Sequence, residues 1–360
     1  MQEPPIAIPI SQIKGRGSAT RLAHRFERDA REPFDDGWAA DPEEATRIAT
    51  TWTWEDAKSA ISRNTSPDIG FDRSINPYRG CEHGCSYCYA RPSHSYLGLS
   101  PGLDFETRLI AKRGLKDRLI HELASPRYSP GMMALGTITD AYQPLDRELR
   151  LTREVLQVLH DCHHPMAVVT KGSGIERDMD LLAPMAARRQ AGVYVSVTTL
   201  DADLARRMEP RAAAPWRRLR TIRTLADAGI PVGVSVSPQI PFINDDMEQV
   251  LEAARDAGAT SAFYVVLRLP WELSLLFRQW LDLHYPDRAA RVMARMHDLR
   301  GGKDYDASFA TRRSGQGIWA DLIAQRFDKA CRRLGLNRQR HDWNVDGFRP
   351  PSTVGQMGLF

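Results

Sequence analysis

The run Cys81-Glu-His-Gly-Cys85-Ser-Tyr-Cys88 holds three of the five cysteines of the chain within eight residues. Three thiolates on one short loop can bind three irons of a [4Fe–4S] cube, and the fourth iron then has no protein ligand. The same cysteines could instead hold a zinc ion together with His83 or His94. Structural zinc sites commonly join two C-x2-C pairs, and the chain has no second pair. The spacing therefore favours the iron–sulfur cluster.

The composition of the chain predicts one large globular core. Its 360 residues are 42% hydrophobic and 26% charged, which is enough apolar material for a sizeable domain. No segment approaches the roughly 18 apolar residues of a membrane span, and the first residues lack the apolar region of a secretory signal. Cys162 and Cys331 are isolated in helical patterns, which predicts reduced thiols in a cytoplasmic protein with no membrane association.

The sequence divides into four parts. Residues 1–66 are rich in Pro, Gly, Arg and Asp and predict a partly irregular N-terminal extension. Residues 67–300 carry alternating strand and helix patterns and predict the core domain. Residues 301–347 predict a C-terminal helical segment, and residues 348–360 predict a flexible tail.

Apolar, β-branched runs recur through the core and are separated by helical patterns, as in βαβ units. The predicted strands are 74–77, 132–138, 166–170, 193–199, 231–236 and 261–267. Helical patterns follow the last strand at 270–284, 286–299 and 316–334. Six such units predict an α/β fold, a partial (β/α)6 barrel with its active groups at the carboxyl ends of the strands. A doubly wound open sheet is the alternative.

The cysteine motif, with Tyr87 before its last cysteine, resembles the signature of radical S-adenosylmethionine (radical SAM) proteins. Three further segments, over a match of roughly residues 60–335, resemble the spore photoproduct lyase-like branch: Asp140-Ala-Tyr-Gln-Pro, Thr170-Lys171 and Glu209-Pro-Arg211. The chain is most similar to an uncharacterised bacterial radical SAM group that also carries Ser74-Ile-Asn-Pro-Tyr-Arg-Gly80 and Arg91-Pro-x-His94-x-Tyr96-Leu-Gly98-Leu.

The resemblance implies that the three cysteines bind a [4Fe–4S] cluster and that S-adenosylmethionine binds its open iron. A reductant such as flavodoxin or ferredoxin then drives cleavage to a 5′-deoxyadenosyl radical, which abstracts hydrogen from a substrate. Tyr87 and Tyr89 flank Cys88 as tyrosines do in the lyase after which this branch is named, and this resemblance implies a catalytic role. No cysteine lies between Cys88 and Cys162. The cysteine that donates hydrogen in that lyase therefore has no counterpart here, and the lyase's thymine-dimer reaction is not implied.

Polar residues at the strand ends are the candidates for binding S-adenosylmethionine. The family usually has a Gly-Gly-Glu segment for the ammonium group, and here Thr139 and Asp140 would replace it. Asp140 could equally cap the next turn. Lys171 could pair with the carboxylate, or be a surface lysine. Tyr87 could stack near the adenine, or fill the core.

Two further candidates follow the fourth predicted strand. Ser196 lies on the same face as Thr198 and could hydrogen-bond the ribose, although both also suit a strand. The turn Glu209-Pro-Arg211 could place one charge of each sign over the cofactor, or could form a structural ion pair.

Arginines are frequent around the fourth and fifth predicted strands, with Trp216 among them. They could track phosphates or form solvated helix faces, and they lie at 188–189, 206–207, 211, 217–218, 220 and 223. Nucleic acid is thus the leading substrate class, in DNA repair or nucleic-acid modification. The alternatives are a peptide- or tRNA-modifying radical enzyme and a non-catalytic Fe–S or zinc DNA-binding protein.

The chain ends in Gln356-Met357-Gly358-Leu359-Phe360, which resembles the pentapeptide that binds the bacterial sliding clamp. Gln356 can hydrogen-bond at a pocket rim, while Met357, Leu359 and Phe360 can fill an apolar cleft. The sliding clamp is therefore a candidate partner, although five-residue matches also arise by chance.

Overall fold

A computed structural model of the chain describes residues 11–27, 48–339 and 341–351. In chain order its strands are β1 (Thr51–Asp56), β2 (Ser62–Arg63), β3 (Arg73–Ile75), β4 (Tyr78–Arg79), β5 (Arg108–Arg113), β6 (Met133–Leu135), β7 (Met166–Thr170), β8 (Ala191–Ser196), β9 (Val232–Ser235) and β10 (Ser261–Phe263). Its α-helices are α1 (Asp104–Thr107), α2 (Leu115–Leu123), α3 (Asp146–Leu149), α4 (Leu151–Asp161), α5 (Met179–Ala187), α6 (Ala202–Met208), α7 (Pro215–Asp227), α8 (Met247–Asp256), α9 (Leu273–His284), α10 (Pro286–Leu299) and α11 (Ile318–Leu334).

The main sheet has the strand order β2-β3-β6-β7-β8-β9-β10. From β3 to β10 every neighbouring pair is parallel, and only β2 runs antiparallel to its neighbour. The six parallel strands follow one another in chain order, whereas a doubly wound sheet reverses its order at a switch point. The predicted partial (β/α)6 barrel is therefore confirmed.

The barrel core forms because the parallel strands are apolar on both faces. Every residue of β9 is buried, as are Val193 and Val195 of β8, which is typical of strands covered by helices. In α4, Val155, Leu156 and Leu159 recur at helical spacing and are buried against this sheet, so one face of the helix completes the core.

A second sheet of three strands has the order β1-β5-β4. Strand β1 pairs in parallel with β5, and β4 pairs antiparallel with β5. Trp52 packs on a small apolar cluster that contains Tyr78 and Leu109, while Trp54 on the same strand is exposed. Residues 51–56, within the predicted N-terminal extension, are therefore part of a sheet.

The C-terminal helices cover the barrel at two places. Phe277 and Trp280 of α9 share an apolar cluster with Cys85 and Tyr87, so this helix packs behind the cysteine loop. After α11, Asn337 donates to the Ala262 carbonyl and accepts from its N–H, which covers the β10 edge of the sheet.

Phe348, the first residue of the predicted tail, packs against the rings of Tyr128 and His164. The ring centroids are 5.6 and 5.4 Å from that of Phe348.

Among the residues that the structure describes, no helix combines the length and the apolarity needed to cross a bilayer.

Arg91 holds the cysteine loop from behind. Its side chain is fully buried and donates to the carbonyls of Cys85 at 2.8 Å and Gly84 at 3.0 Å. It also pairs with Glu106, itself fully buried, at 2.9 Å. We call the Arg91–Glu106 pair the loop clamp. Because a buried carbonyl without a partner costs about 1–3 kcal/mol, the clamp stabilises the conformation that aims the cysteines.

Glu106 extends the loop clamp to the N-terminal segment. Its two carboxylate oxygens accept from the N–H groups of Gly17 at 3.0 Å and Ser18 at 2.9 Å. A Cβ atom on Gly17 would overlap the carbonyl of Gly84, which itself has a φ of +65°. The approach of the two chain segments therefore requires glycine at both positions.

We predict that Glu106→Gln lowers the free energy of unfolding by about 3 kcal/mol, because it leaves Arg91 without its buried counter-charge. The amide would also turn a donor toward N–H groups that need an acceptor. Urea unfolding of the anaerobically purified protein measures the change.

Glu55→Gln is the matched control, since Glu55 pairs with Arg79 at 2.6 Å on the surface. Exposed pairs contribute at most about 1 kcal/mol. Equal effects of the two substitutions would contradict the role of the loop clamp.

Candidate active site

A cavity of about 290 Å³ opens at the carboxyl ends of the parallel strands. Its walls come from the cysteine loop, from residues 136–140 after β6, from Thr170 and Lys171 at the end of β7, and from segments at the ends of β8, β9 and β10. Its size is that of a small-molecule site. The end of the strands at which it opens is the one where barrels of this kind bind their ligands.

The three thiols of the motif all line this cavity. Cys81 and Cys85 are buried and Cys88 is half-buried. The backbone fixes the loop, since Cys81 N–H donates to the Phe105 carbonyl at 2.9 Å and Cys88 N–H to the Cys85 carbonyl at 3.3 Å. Burial raises the pKa of Cys85 to about 12, while Lys171 opposes that rise. Such thiols lose their protons when they bind a metal, which fits an iron–sulfur cluster.

The two histidines that could have completed a zinc site have other surroundings. The Nε2 atom of His94 lies 3.1 Å from the Arg108 carbonyl, and its ring packs on Phe105, so it turns away from the cysteines. His83 lines the cavity, but its Nδ1 lies 3.2 Å from Asp140. No three His, Cys, Asp or Glu side chains in the described ranges converge on a single-ion site. The geometry of the histidines favours the cluster over zinc.

Asp140 organises the end of β7. Its Oδ1 accepts from the Thr170 hydroxyl at 2.7 Å and from Tyr142 N–H at 2.9 Å, and its Oδ2 accepts from Lys171 N–H at 2.7 Å. Burial opposes its charge, but His83 and these donors hold the pKa of Asp140 well below its usual range. Asp140 is therefore an ionised carboxylate that caps the turn after β6 and also faces the cavity.

Lys171 provides a cation inside the cavity. Its Nζ lies 5.8 Å from the centroid of the Tyr87 ring, and no described residue forms a hydrogen bond or ion pair with that ammonium group. Burial works against its charge, but Cys85 and Glu209 raise the pKa of Lys171. A charged ammonium with unused donors can bind an anionic group of a ligand.

Thr139 and Ser196 both line the cavity, with different local contacts. The Thr139 hydroxyl donates to the Gly80 carbonyl at 2.7 Å and accepts from Gln143 at 3.0 Å. The Ser196 carbonyl accepts from Arg218 at 3.0 Å, while its hydroxyl has no described protein partner. Ser196 is thus the one of the two whose hydroxyl is available to a ligand.

Glu209 lies beneath the cavity in a buried network. It accepts hydrogen bonds from Tyr87, from Thr198 at 2.6 Å and from the buried Arg218. Burial disfavours its charge, but Arg218 and Lys171 lower the pKa of Glu209 to about 2. The carboxylate fixes the hydroxyl of Tyr87, whose ring lines the cavity.

The other two predicted residues lie at the periphery. Arg211 is exposed and pairs with Glu82 at 3.0 Å, outside the cavity wall. Tyr89 is 48% exposed, lines the cavity and donates to the carbonyl of Thr137. The structure thus brings most of the predicted residues to one cavity and separates Arg211 from it.

Two groups of residues around the site were not predicted from the sequence. The first is the loop clamp, whose Arg91 belongs to a quoted motif but whose partner Glu106 carries no local signal. The second is Arg268 and Arg313, which line the cavity from the chain beyond β10. An arginine within the apolar run Val265-Val-Leu-Arg-Leu-Pro270, at the end of the sixth strand, is the signal that could have identified Arg268.

The residues predicted to bind the bacterial sliding clamp lie outside the residues that the structure describes. They are Gln356, Met357, Leu359 and Phe360.

Curated relatives match the chain over its central part. An uncharacterized protein of Mycobacterium tuberculosis is 34% identical over 238 residues, which cover 65% of this chain and 70% of the relative. An uncharacterized protein of Methanocaldococcus jannaschii is 26% identical over 231 residues, covering 64% of this chain and 82% of the relative.

Solved structures share the fold. A spore photoproduct lyase mutant with bound AdoMet and dinucleoside spore photoproduct has a TM-score of 0.51 and 14% sequence identity, with 82% of each chain covered. Another mutant of the same lyase has a TM-score of 0.51 and 15% identity, with 84% of each chain covered.

The model of the Radical SAM superfamily matches residues 75–254. That range begins just before the cysteine loop and contains β6 to β9, so it includes the greater part of the cavity wall. The chain belongs to the radical SAM superfamily, whose enzymes use a [4Fe–4S] cluster and S-adenosylmethionine.

Proposed function

We propose that this radical SAM enzyme works in the cytoplasm on a nucleic-acid substrate, with S-adenosylmethionine bound beside the cysteine loop. The observation that carries the proposal is that three thiols of one loop and a free ammonium group line a single cavity. Cys81, Cys85 and Cys88 would hold the cluster, which would supply the electron for reductive cleavage of S-adenosylmethionine to methionine and a 5′-deoxyadenosyl radical.

Lys171 is the residue we assign to the carboxylate of S-adenosylmethionine. Its ammonium group is charged, has no described protein partner and lies over the Tyr87 ring. The Ser196 hydroxyl is free for the ribose, and the Tyr87 ring forms an apolar wall for the adenine. Thr139 and Glu209 act indirectly in this proposal, through the Gly80 carbonyl and the Tyr87 hydroxyl.

Asp140 is proposed to position Lys171. Its carboxylate accepts from the Lys171 N–H and from Thr170, which fixes where the lysine leaves the strand. The sequence alone assigned Asp140 to the ammonium of S-adenosylmethionine, and the two roles differ in whether Asp140 acts through Lys171.

Tyr89 is the tyrosine with access to a substrate. It is half-exposed at the cavity, whereas the Tyr87 hydroxyl is buried against Glu209 and Thr198. Both tyrosines stay candidates for catalysis, and we propose that Tyr89 faces the substrate.

Two features support nucleic acid as the substrate. The lyase with the same fold holds a dinucleoside photoproduct in its solved complex. The cavity wall carries three cationic side chains, of Lys171, Arg268 and Arg313, but only the carboxylate of Asp140 among the described residues. Cationic side chains at the wall beside the cysteine loop favour a substrate that carries phosphate.

We predict that the anaerobically purified protein holds about four irons per chain and, with dithionite, converts S-adenosylmethionine to 5′-deoxyadenosine and methionine. Cys85→Ala should abolish both, because the cube loses one of its three protein ligands. Iron analysis and chromatographic product assay measure the two effects.

Cys162→Ala is the matched control, since Cys162 is buried in the apolar core away from the cavity. It should keep its iron. Stoichiometric zinc without iron in the wild-type protein would contradict the proposal and favour a non-catalytic zinc protein.

We predict that Lys171→Met weakens S-adenosylmethionine binding about tenfold or more, since a charged hydrogen bond contributes about 1.5–3 kcal/mol. Iron content should stay unchanged. Lys112→Met is the control, because Lys112 is a half-buried lysine of β5, outside the cavity wall.

Asp140→Asn should also weaken binding alone, but add little in the Lys171→Met background, because residues that act through one another are not additive. Equilibrium binding to the four proteins completes the cycle. Additive effects would instead mean that Asp140 contacts the ammonium directly, as the sequence predicted.

The sliding clamp is a further proposed partner, on the basis of the C-terminal sequence alone. We predict that a peptide of residues 349–360 binds the bacterial clamp, because Leu359 and Phe360 can fill an apolar cleft. Surface plasmon resonance with Leu359→Ala/Phe360→Ala as the control peptide measures it, and equal signals from both peptides would refute the assignment.

A further inference from the structure

Arg268 and Arg313 face the cavity and form no ion pair with a carboxylate of the residues that the structure describes. Both line the cavity wall. Among the described residues, Arg268 donates only to the Tyr305 hydroxyl, at 3.3 Å, and its buried Nε has no hydrogen-bond partner. Arg313 donates to the backbone carbonyl of Asp68, while the carboxylate of Asp68 is taken by Arg312 through two bonds of 2.6 Å. Two guanidinium groups therefore share this wall with unused donors.

The protein brings these two cations together by a dedicated contact. Val266 N–H donates to the Arg313 carbonyl at 2.8 Å. The buried Arg300 donates to the carbonyls of Leu267 at 2.5 Å and Arg312 at 3.0 Å. Arg300 therefore ties the segment that carries Arg268 to the segment that carries Arg313.

This arrangement has an electrostatic cost. Burial lowers the pKa of Arg313; the nearby carboxylate of Asp68 opposes this shift, while the like charges of Arg268 and Arg312 add to it. Arg268 and Arg313 therefore repel in a partly desolvated place. By contrast, four of the nine arginines that the sequence singled out pair with carboxylates: Arg189, Arg211, Arg217 and Arg218. A site that keeps two arginines together without an ion pair of their own among the described residues is complementary to an anion.

We propose that Arg268 and Arg313 form a subsite for a phosphodiester group of the nucleic-acid substrate. Arginine suits this role because its planar fork binds phosphate oxygens in pairs. Arg268 lies over Tyr89, 5.2 Å from the ring centroid, so the phosphate would be bound beside the tyrosine assigned to the substrate. The subsite rests on the proposed nucleic-acid substrate and is separate from Lys171, which is assigned to S-adenosylmethionine.

The test uses a fluorescein-labelled single-stranded DNA of about ten nucleotides and the iron-loaded protein. Arg268→Gln/Arg313→Gln should weaken DNA binding by fluorescence anisotropy about tenfold or more. The slope of log affinity against log salt concentration should become shallower by about 0.7, the value for one phosphate of a single strand. Iron content and S-adenosylmethionine affinity should stay at the wild-type level.

Two controls make the result specific. Arg332→Gln removes one positive charge from an exposed position on α11, away from the cavity. It should leave DNA binding unchanged. The double variant and the wild type should bind equally to an oligonucleotide with an uncharged methylphosphonate backbone. The single variants Arg268→Gln and Arg313→Gln replace the double variant if it loses iron.

Unchanged DNA affinity in the variants, or no DNA binding by the wild type, would overturn the subsite. A parallel loss of S-adenosylmethionine affinity would also overturn it and move the arginines to the cosubstrate's carboxylate. Failure of the wild type to form 5′-deoxyadenosine would refute the proposed catalysis but leave the DNA-binding result to be judged separately.

Discussion

The cysteine loop must bury its backbone while it turns three thiols to one side, and the loop clamp is the interaction that meets this constraint. Arg91 satisfies the carbonyls of Gly84 and Cys85 where water cannot reach them, and Glu106 balances the charge of Arg91. A buried ion pair stabilises only when its geometry and remaining hydrogen bonds are good. Here the extra bonds to Gly17 and Ser18 supply them and attach the N-terminal segment to the site.

Charge around the cavity is organised in layers. Below the cavity, Glu209 and Arg218 form an ion pair whose charges balance. Glu209 also fixes Tyr87 by accepting a hydrogen bond from its hydroxyl. Asp140 holds the strand end from which Lys171 projects. Lys171 and the Arg268–Arg313 pair then remain as cations at the wall. Because the buried carboxylates are used by the protein, the charged side chains left for ligands beside the cysteine loop are cations, which suits the carboxylate of S-adenosylmethionine and a phosphate of the substrate.

Features that depend on residues close together in the chain could be predicted from the sequence. Strand β7 was found at 166–170 as predicted, because an apolar run ends there in Lys171-Gly172. The sixth strand was predicted to reach residue 267, but β10 ends at Phe263, and beyond it Val266 makes an isolated parallel bridge to Gln239. The cysteine ligands could be identified because all three lie within a run of eight residues. Glu106 and Arg313 could not, since their roles depend on contacts made only in the folded chain.

The most direct test of the account is electron paramagnetic resonance of the dithionite-reduced protein before and after addition of S-adenosylmethionine. A reduced cluster signal is expected, and its shape should change on addition because the cosubstrate binds the iron that the three cysteines leave open. The change should require more S-adenosylmethionine in Lys171→Met. A cluster signal that is indifferent to saturating S-adenosylmethionine would contradict the account.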